Sequence, residues 1–235
     1  AIGRTVIPGM IEMHAHLITL GHGNYQRWFQ WLDQHKAKYP VEKIMEISSR
    51  QLLASGVTTA VDLGAPLQPS LDIRNRINKG EVMGPRLMVS GPWIIPRAGI
   101  FPDDSSRVVG SSTEAAARET QANVDAGVDI IKAHGDLTAE QYKAIADVAH
   151  KGKILVTAHI NDEDAIWNAL KAKIDILQHV GSAARPTYSD EMVKAVVNSN
   201  TAIVPTAAGS YTLPSTIKFP ERLQDPILKT LTPPD

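Results

Sequence analysis

The chain has 235 residues, 43% of them hydrophobic, with 24 basic and 25 acidic residues that are interspersed and leave a formal net charge of −1. That balance offers no basic groove for nucleic acid and no polybasic contact for a membrane surface, and no apolar run approaches the roughly 18 residues of a membrane span. The absence of cysteine excludes disulfides and thiolate ligands, leaves histidine, carboxylate and modified lysine as metal donors, and assigns no compartment.

In chain order, the first expected element is the apolar extended run 6–13, which delivers His14-Ala15-His16. Imidazoles at i and i+2 of an extended segment point to one face, and neutral imidazole is among the commonest metal ligands. From residue 41 onward helical periods alternate with short β-rich runs. A helix over 42–54 gives way at Ser55-Gly56 to a strand over 57–62; a helix over 71–79 leads past Gly84-Pro85 to a strand over 86–90. The Pro-, Gly- and Asp-rich stretch 92–110 is too long for an ordinary connection and reads as a loop that shapes a site. Ser111 with Glu114 has the spacing of a capping box, and the helix it opens runs to Ala126 and stops at Gly127, before a strand over 128–132. Thr138 with Gln141 caps a helix to Lys151. Then follow strand 154–159, helix 162–171, strand 174–179, helix 189–198 and strand 201–206, and the stretch 211–235, with five prolines, reads as loop.

This βα alternation, with seven strands by Thr206 and no Gly-rich phosphate loop after the first, predicts an α/β fold: a (β/α)8 TIM-like barrel, incomplete in this chain. Three later strands close on residues with donor chemistry. Lys132 ends the fourth, His159 the fifth, 27 residues on, and His179 the sixth, 20 further. Each alone has an ordinary structural explanation, but in a barrel the strand ends converge on the C-terminal mouth, where such folds build their sites. His134, two residues past Lys132, Arg97 in the long stretch and Tyr211 after the seventh strand are candidate substrate-binding residues. Asp62 at the end of strand two reads as a buried hydrogen-bonding group. His22 and His35 lie after strand one, His150 suits the C-terminus of its helix, and Trp28, Trp31 and Trp93 serve either packing or a pocket.

The run Pro8-Gly9-Met10-Ile11-Glu12-Met13-His14-Ala15-His16-Leu17 resembles the first-strand signature of the amidohydrolase superfamily. With Lys132, His159 and His179 in order, the chain resembles its binuclear, prolidase-like and imidazolonepropionase-like branch over essentially its whole length. The resemblance implies two divalent metal ions, with zinc suited to the imidazole donors: His14 and His16 on the first, His159 and His179 on the second, and Lys132 bridging them as N6-carboxylysine. An ammonium cannot ligate a cation, but a buried lysine beside positive charge spends time as the free amine, which adds carbon dioxide to give a carbamate. The implied activity is hydrolysis of a C–N bond in a small amide, such as a dipeptide or N-acyl amino acid, by a metal-bridged hydroxide, with Lys132 indispensable to catalysis. A cyclic-amide or organophosphate hydrolase using the same site, or a non-catalytic barrel scaffold, are the alternatives.

Members of the branch carry an Asp at the end of strand eight, and no Gly-rich strand ending in Asp follows Thr206. Residues 1–5 read as the remnant of a β-sandwich strand and 6–235 as a partial metal-dependent hydrolase barrel, so the chain is expected to be part of a longer protein. Asp62 and Asp136 are the acids within it to test for the missing role. The expected partner is a small-molecule substrate, with no nucleic acid or membrane; assembly into a homo-oligomer is left open.

Overall fold

The computed structural model describes residues 3–19, 25–97, 105–160, 162–181, 187–207, 215 and 217–226. In chain order these form β1 (Met10–Ala15), α1 (Tyr25–His35), α2 (Val41–Ala54), β2 (Val57–Asp62), α3 (Leu67–Asn78), β3 (Arg86–Val89), β4 (Trp93–Ile95), β5 (Arg107–Val109), α4 (Thr113–Ala126), β6 (Ile130–Ala133), α5 (Ala139–Lys151), β7 (Leu155–His159), α6 (Glu163–Lys171), β8 (Ile176–Gln178), α7 (Asp190–Asn198) and β9 (Ala202–Val204). None of the described helices is long and apolar enough to cross a membrane.

All described strand pairings are parallel. The hydrogen-bonded orders are β1-β2-β3 and β5-β4-β6-β7-β8-β9. Two hydrogen bonds tie β3 to the residue just before β6: Asp129 donates its N–H to the Val89 carbonyl at 2.9 Å, and the Val89 N–H bonds the Asp129 carboxylate at 2.9 Å. β3 and β4 thus form one interrupted staff, bent at Gly91, whose positive φ of 62° suits a residue without a side chain. Seven staves then follow one another in chain order, without the reversal of a doubly wound sheet, as in a (β/α)8 barrel. The described arc is open between β9 and β1, where Met10, Ile11 and Ile203 are exposed.

The helices sit outside this arc because their apolar faces demand it. On α5, Tyr142, Ile145, Ala146 and Ala149 recur at helical spacing and are all buried. Its start is held by the expected capping box: Thr138 Oγ1 accepts the Gln141 N–H at 3.2 Å while Gln141 Oε1 accepts the Thr138 N–H at 2.8 Å. On α4 the cap is Ser112, not Ser111. Ser112 Oγ accepts the Ala115 N–H at 3.1 Å and donates to Glu114 at 2.8 Å, so the serine beside the helix, not the one three before the glutamate, does the capping.

Three further expectations need correction. α3 begins at Leu67, four residues before the expected 71, because Pro66 and Pro69 fall at and just inside its start, where a missing N–H costs nothing. The stretch 92–110 is not simply loop: it contributes β4 and β5, paired from Trp93↔Arg107 to Ile95↔Val109. Residues 25–35, read only as a connection, form α1. Trp28, Trp31 and Leu32 pack there against Tyr39, Ile44 and Ile47 in a satellite cluster. His35 stacks on Trp31 and bonds its carbonyl at 2.8 Å, which assigns it to that packing. Residues 3–9 are exposed and outside any strand, and 1–2 lie outside the described residues.

Candidate active site

A second, smaller cluster unites Val61 and Leu63 of the second staff with Ile130 and Ile176, packed against Met88 and Val204. Side chains from so many staves meet only inside the arc. Alternation along a strand then decides which other residues point inward. Lys132 follows Ile130 by two, and His134 by four; Gln178 follows Ile176 by two. On β7, Thr157 bonds Gln178, so His159 shares its face. On β1, His14 bonds Gln178, so His16 does too.

His179 breaks this parity. It stands next to inward-facing Gln178 and ought to point out, but its φ of 68° is left-handed and turns the ring back, a conformation costing a non-glycine residue about 1–2 kcal/mol. Its N–H donates to the Val204 carbonyl at 2.9 Å and its Nδ1 meets Thr206 Oγ1 at 2.8 Å, contacts that hold the turn.

The rings gather as a result. His14 and His16 lie edge to face with centroids 4.9 Å apart, their Nε2 atoms separated by 3.1 Å. His179 lies 4.6 Å from His14 and 4.2 Å from His159, and His159 lies 4.1 Å from His134. Trp93 stacks on His134 at 4.6 Å and meets His16 edge on at 5.4 Å. Its indole N–H donates to the Leu63 carbonyl, and a Cβ on Gly64 would overlap that indole. Arg107 covers the tryptophan with its guanidinium 4.6 Å from the ring centroid.

Lys132 is fully buried within the arc. Burial lowers its pKa from 10.5 to about 7. Burial, and next the Lys132 charge, lower His14 and His134 to about 3 and His179 to about 4. His16 is held well below the ordinary value by burial and then by His14. At neutral pH these rings are uncharged and offer lone pairs.

Whether a cation suits this place can be tested on the unsatisfied atoms. Among the described residues four buried side-chain polar atoms have no hydrogen-bond partner: His16 Nδ1, Lys132 Nζ, His179 Nε2 and Asp62 Oδ2. Such atoms are rare and call for a partner, and three of them belong to the five expected ligands. The 3.1 Å between His14 and His16 Nε2 is also close to the ~3.3 Å that separates two imidazole ligands of one tetrahedral zinc. The chemistry of the donors fits. The described His, Asp and Glu side chains do not, however, place three donors around one point; the rings contact one another instead.

Of the substrate-binding candidates, His134 joins the cluster. Arg97 is exposed just beyond β4, and among the described residues nothing links it to the histidines; Tyr211 lies outside the described residues, as does His22. His150 has a specific partner, Asp175, at 2.8 Å. Gln178 carries no motif in the sequence, where it is only a glutamine before a strand-end histidine, and Trp93 belongs both to the pocket and to its packing. The period-2 alternation from Ile176 was the available signal for Gln178.

Asp62 is structural. Buried at the end of β2, it accepts the Leu17 N–H at 3.1 Å and so fixes the backbone just past His16. Burial raises its pKa from 3.8 to about 7. The folded state therefore holds more protons than the unfolded between those values, and the Asp62 contribution to stability, complete below about pH 3.8, is lost as pH rises to about 7. Asp62→Asn keeps the acceptor and removes the titration. In urea melts its stability relative to the unsubstituted protein is expected to grow from pH 4 to 7 and level off above; a difference independent of pH would contradict this.

Comparisons with known proteins bear on the family and the fold. A model of the amidohydrolase family matches residues 5–218. An uncharacterised protein of Mycobacterium tuberculosis (strain H37Rv) is 26% identical over 214 residues, covering 87% of this chain and 51% of its own length, and one of Mycobacterium bovis matches equally. The chain spans about half the length of the curated relatives it matches. Among solved structures, an ochratoxinase of A. niger aligns with a TM-score of 0.70 at 19% identity over 89% of this chain and 55% of that one. A Xaa-Pro dipeptidase with methionine in its active site aligns at 0.64 and 19% over 89% and 56%, and phenylurea hydrolase B at 0.70 and 17% over 83% and 52%. These structural likenesses establish the shared fold, and the family match, which runs from before the histidine pair to beyond the seventh staff, establishes descent: the chain belongs to the amidohydrolase family.

Proposed function

We propose that this protein is a metal-dependent hydrolase that cleaves a C–N bond of a small amide, with dipeptides and N-acyl amino acids as its substrate class. The observation that carries the reading is the Lys132 amine, buried without a hydrogen-bond partner among the described residues and close to His14 and His179, which burial keeps neutral. With a pKa of about 7, Lys132 is a free amine for about half the time at neutral pH, and addition of that amine to carbon dioxide forms an N–C bond, releases one proton and yields a carbamate. The carbamate would join His14, His16, His159 and His179 in holding two divalent ions. Such ions supply a more acidic water and a polarised substrate carbonyl.

The chain's own residues then have distinct tasks. Neutral imidazoles and the carbamate hold the site, and Asp62 keeps the backbone past His16 in register. Trp93 and His134 form a stacked wall beside His16 and His159, which excludes water from one side and gives a flat apolar surface for substrate. Arg97 and Tyr211 are assigned to the substrate as candidate contacts for its carboxylate and carbonyl. The test is an assay of the full-length protein, supplied with zinc and bicarbonate, on panels of dipeptides, N-acyl amino acids, cyclic amides and organophosphates. Release of free amino acid that a chelator abolishes is expected. No hydrolysis of any C–N substrate, or turnover indifferent to chelation, would overturn the proposal.

A further inference from the structure

Gln178 lies in the barrel interior, 1% exposed, and joins two otherwise separate parts of the site. Its Oε1 lies 2.7 Å from His14 Nδ1, and its Nε2 lies 2.9 Å from Thr157 Oγ1. Thr157 is itself fully buried, and its hydroxyl lies 3.3 Å from the Ile176 carbonyl. The direction of every hydrogen bond in this chain follows from its last member. A backbone carbonyl only accepts, so the Thr157 hydroxyl must donate to Ile176; its oxygen must then accept from the Gln178 amide N–H; and the Gln178 carbonyl is left to accept from His14 Nδ1–H. The usual ambiguity of a glutamine's orientation is removed here by a group that cannot reverse its role.

We propose that Gln178, oriented through Thr157 by the Ile176 carbonyl, is a positioning residue that locks His14 in the Nδ1–H tautomer and leaves its Nε2 lone pair turned toward His16. The relay spans three staves, β1, β7 and β8, so it also fixes the His14 ring relative to the opposite side of the arc. Neutral imidazole left to itself prefers its proton on Nε2, the nitrogen that here faces His16 at 3.1 Å. Without the relay the His14 proton moves to that nitrogen, and the lone pair is then turned away from the cluster. The assignment of the tautomer stands on the hydrogen bonds alone; its consequence for metal affinity rests on the hydrolase reading above.

The relay is tested by long-range 1H–15N NMR of the histidine rings in metal-free full-length protein at mildly alkaline pH, with variants His14→Gln for assignment, Gln178→Leu, Thr157→Val and Thr157→Ser. His14 is expected as the Nδ1–H form in the unsubstituted protein and in Thr157→Ser, which keeps the hydroxyl. It is expected to move toward Nε2–H in Gln178→Leu, and to become a mixture in Thr157→Val, where the glutamine loses its orienting partner but keeps its place. Titration with zinc alone should give a Kd raised roughly 10–100-fold in Gln178→Leu, the scale on which partners of ligating histidines act, and near the unsubstituted value in Thr157→Ser. An Nε2–H form of His14 in the unsubstituted protein, or a tautomer unchanged in both Gln178→Leu and Thr157→Val, would overturn the relay. The expected tautomers with no zinc binding by the unsubstituted protein would uphold the relay and overturn the hydrolase reading instead.

Discussion

Replacing Lys132 with alanine is expected to lower turnover by about 10³-fold or more, the scale on which loss of a group that organises transition-state charge is felt. The same change should reduce metal content, since the proposed carbamate would be shared by both ions. Lys132→Glu retains a carboxylate on a shorter arm and is expected to keep one ion. Added bicarbonate should speed reconstitution of the unmodified protein and leave Lys132→Ala unaffected. Near-normal turnover by Lys132→Ala would contradict the role given to this residue.

Stability separates that chemical role from a structural one. The Lys132 pKa falls from 10.5 to about 7 on folding, so between those values the metal-free folded state binds fewer protons than the unfolded chain. Its stability therefore rises with pH across that window, and below about pH 7 the full cost of the buried ammonium is present. Lys132→Met fills similar space without charge. It is expected to be more stable than the metal-free unsubstituted protein at pH 7 and below, and to lose that advantage as pH rises toward 10.5. An inactive but stabilised variant is the signature of a residue kept for chemistry at a cost to the fold.

The parts of this fold legible in the sequence are those where local chemistry and tertiary packing agree. Gly127 ends α4 in the left-handed conformation expected of it, with φ 85°, and the Thr138–Gln141 box opens α5 where its spacing placed it. The seven staves were countable because each apolar run is short and, after the first, separated from the one before by helical periods or a turn. α1 escaped because its apolar stripe of Trp28, Trp31 and Leu32 is covered by a local satellite cluster and is surrounded by polar residues. β4 and β5 escaped because three-residue strands in a Pro- and Gly-rich stretch owe their form to pairing with neighbours, which no local pattern encodes.

Within the site, the residue types were legible and their directions only in part. His14, His16, Lys132 and His159 point inward by simple alternation. His179 does so only through its left-handed backbone, and a reader of strand parity alone would have turned it out of the arc. Trp93 meets the cluster because Gly64 leaves space for its indole, a complementarity between residues 29 apart in the chain. The link from His14 to Gln178, across 164 residues, depends on the curvature of the whole arc.

The central claim is that His14, His16, Lys132, His159 and His179 hold divalent ions together, and metal content tests it most directly. Two variants isolate the two halves of the site: His14→Ala with His16→Ala on one side, and His159→Ala with His179→Ala on the other. Each removes two imidazoles and leaves the other pair with the proposed carbamate, so each should retain one ion weakly while turnover falls to background. Elemental analysis of the full-length protein, reconstituted with zinc and bicarbonate and freed of excess metal, is expected to find two zinc ions per chain, and fewer in both paired variants. No bound metal in the unsubstituted protein, or equal content in all three, would contradict the account.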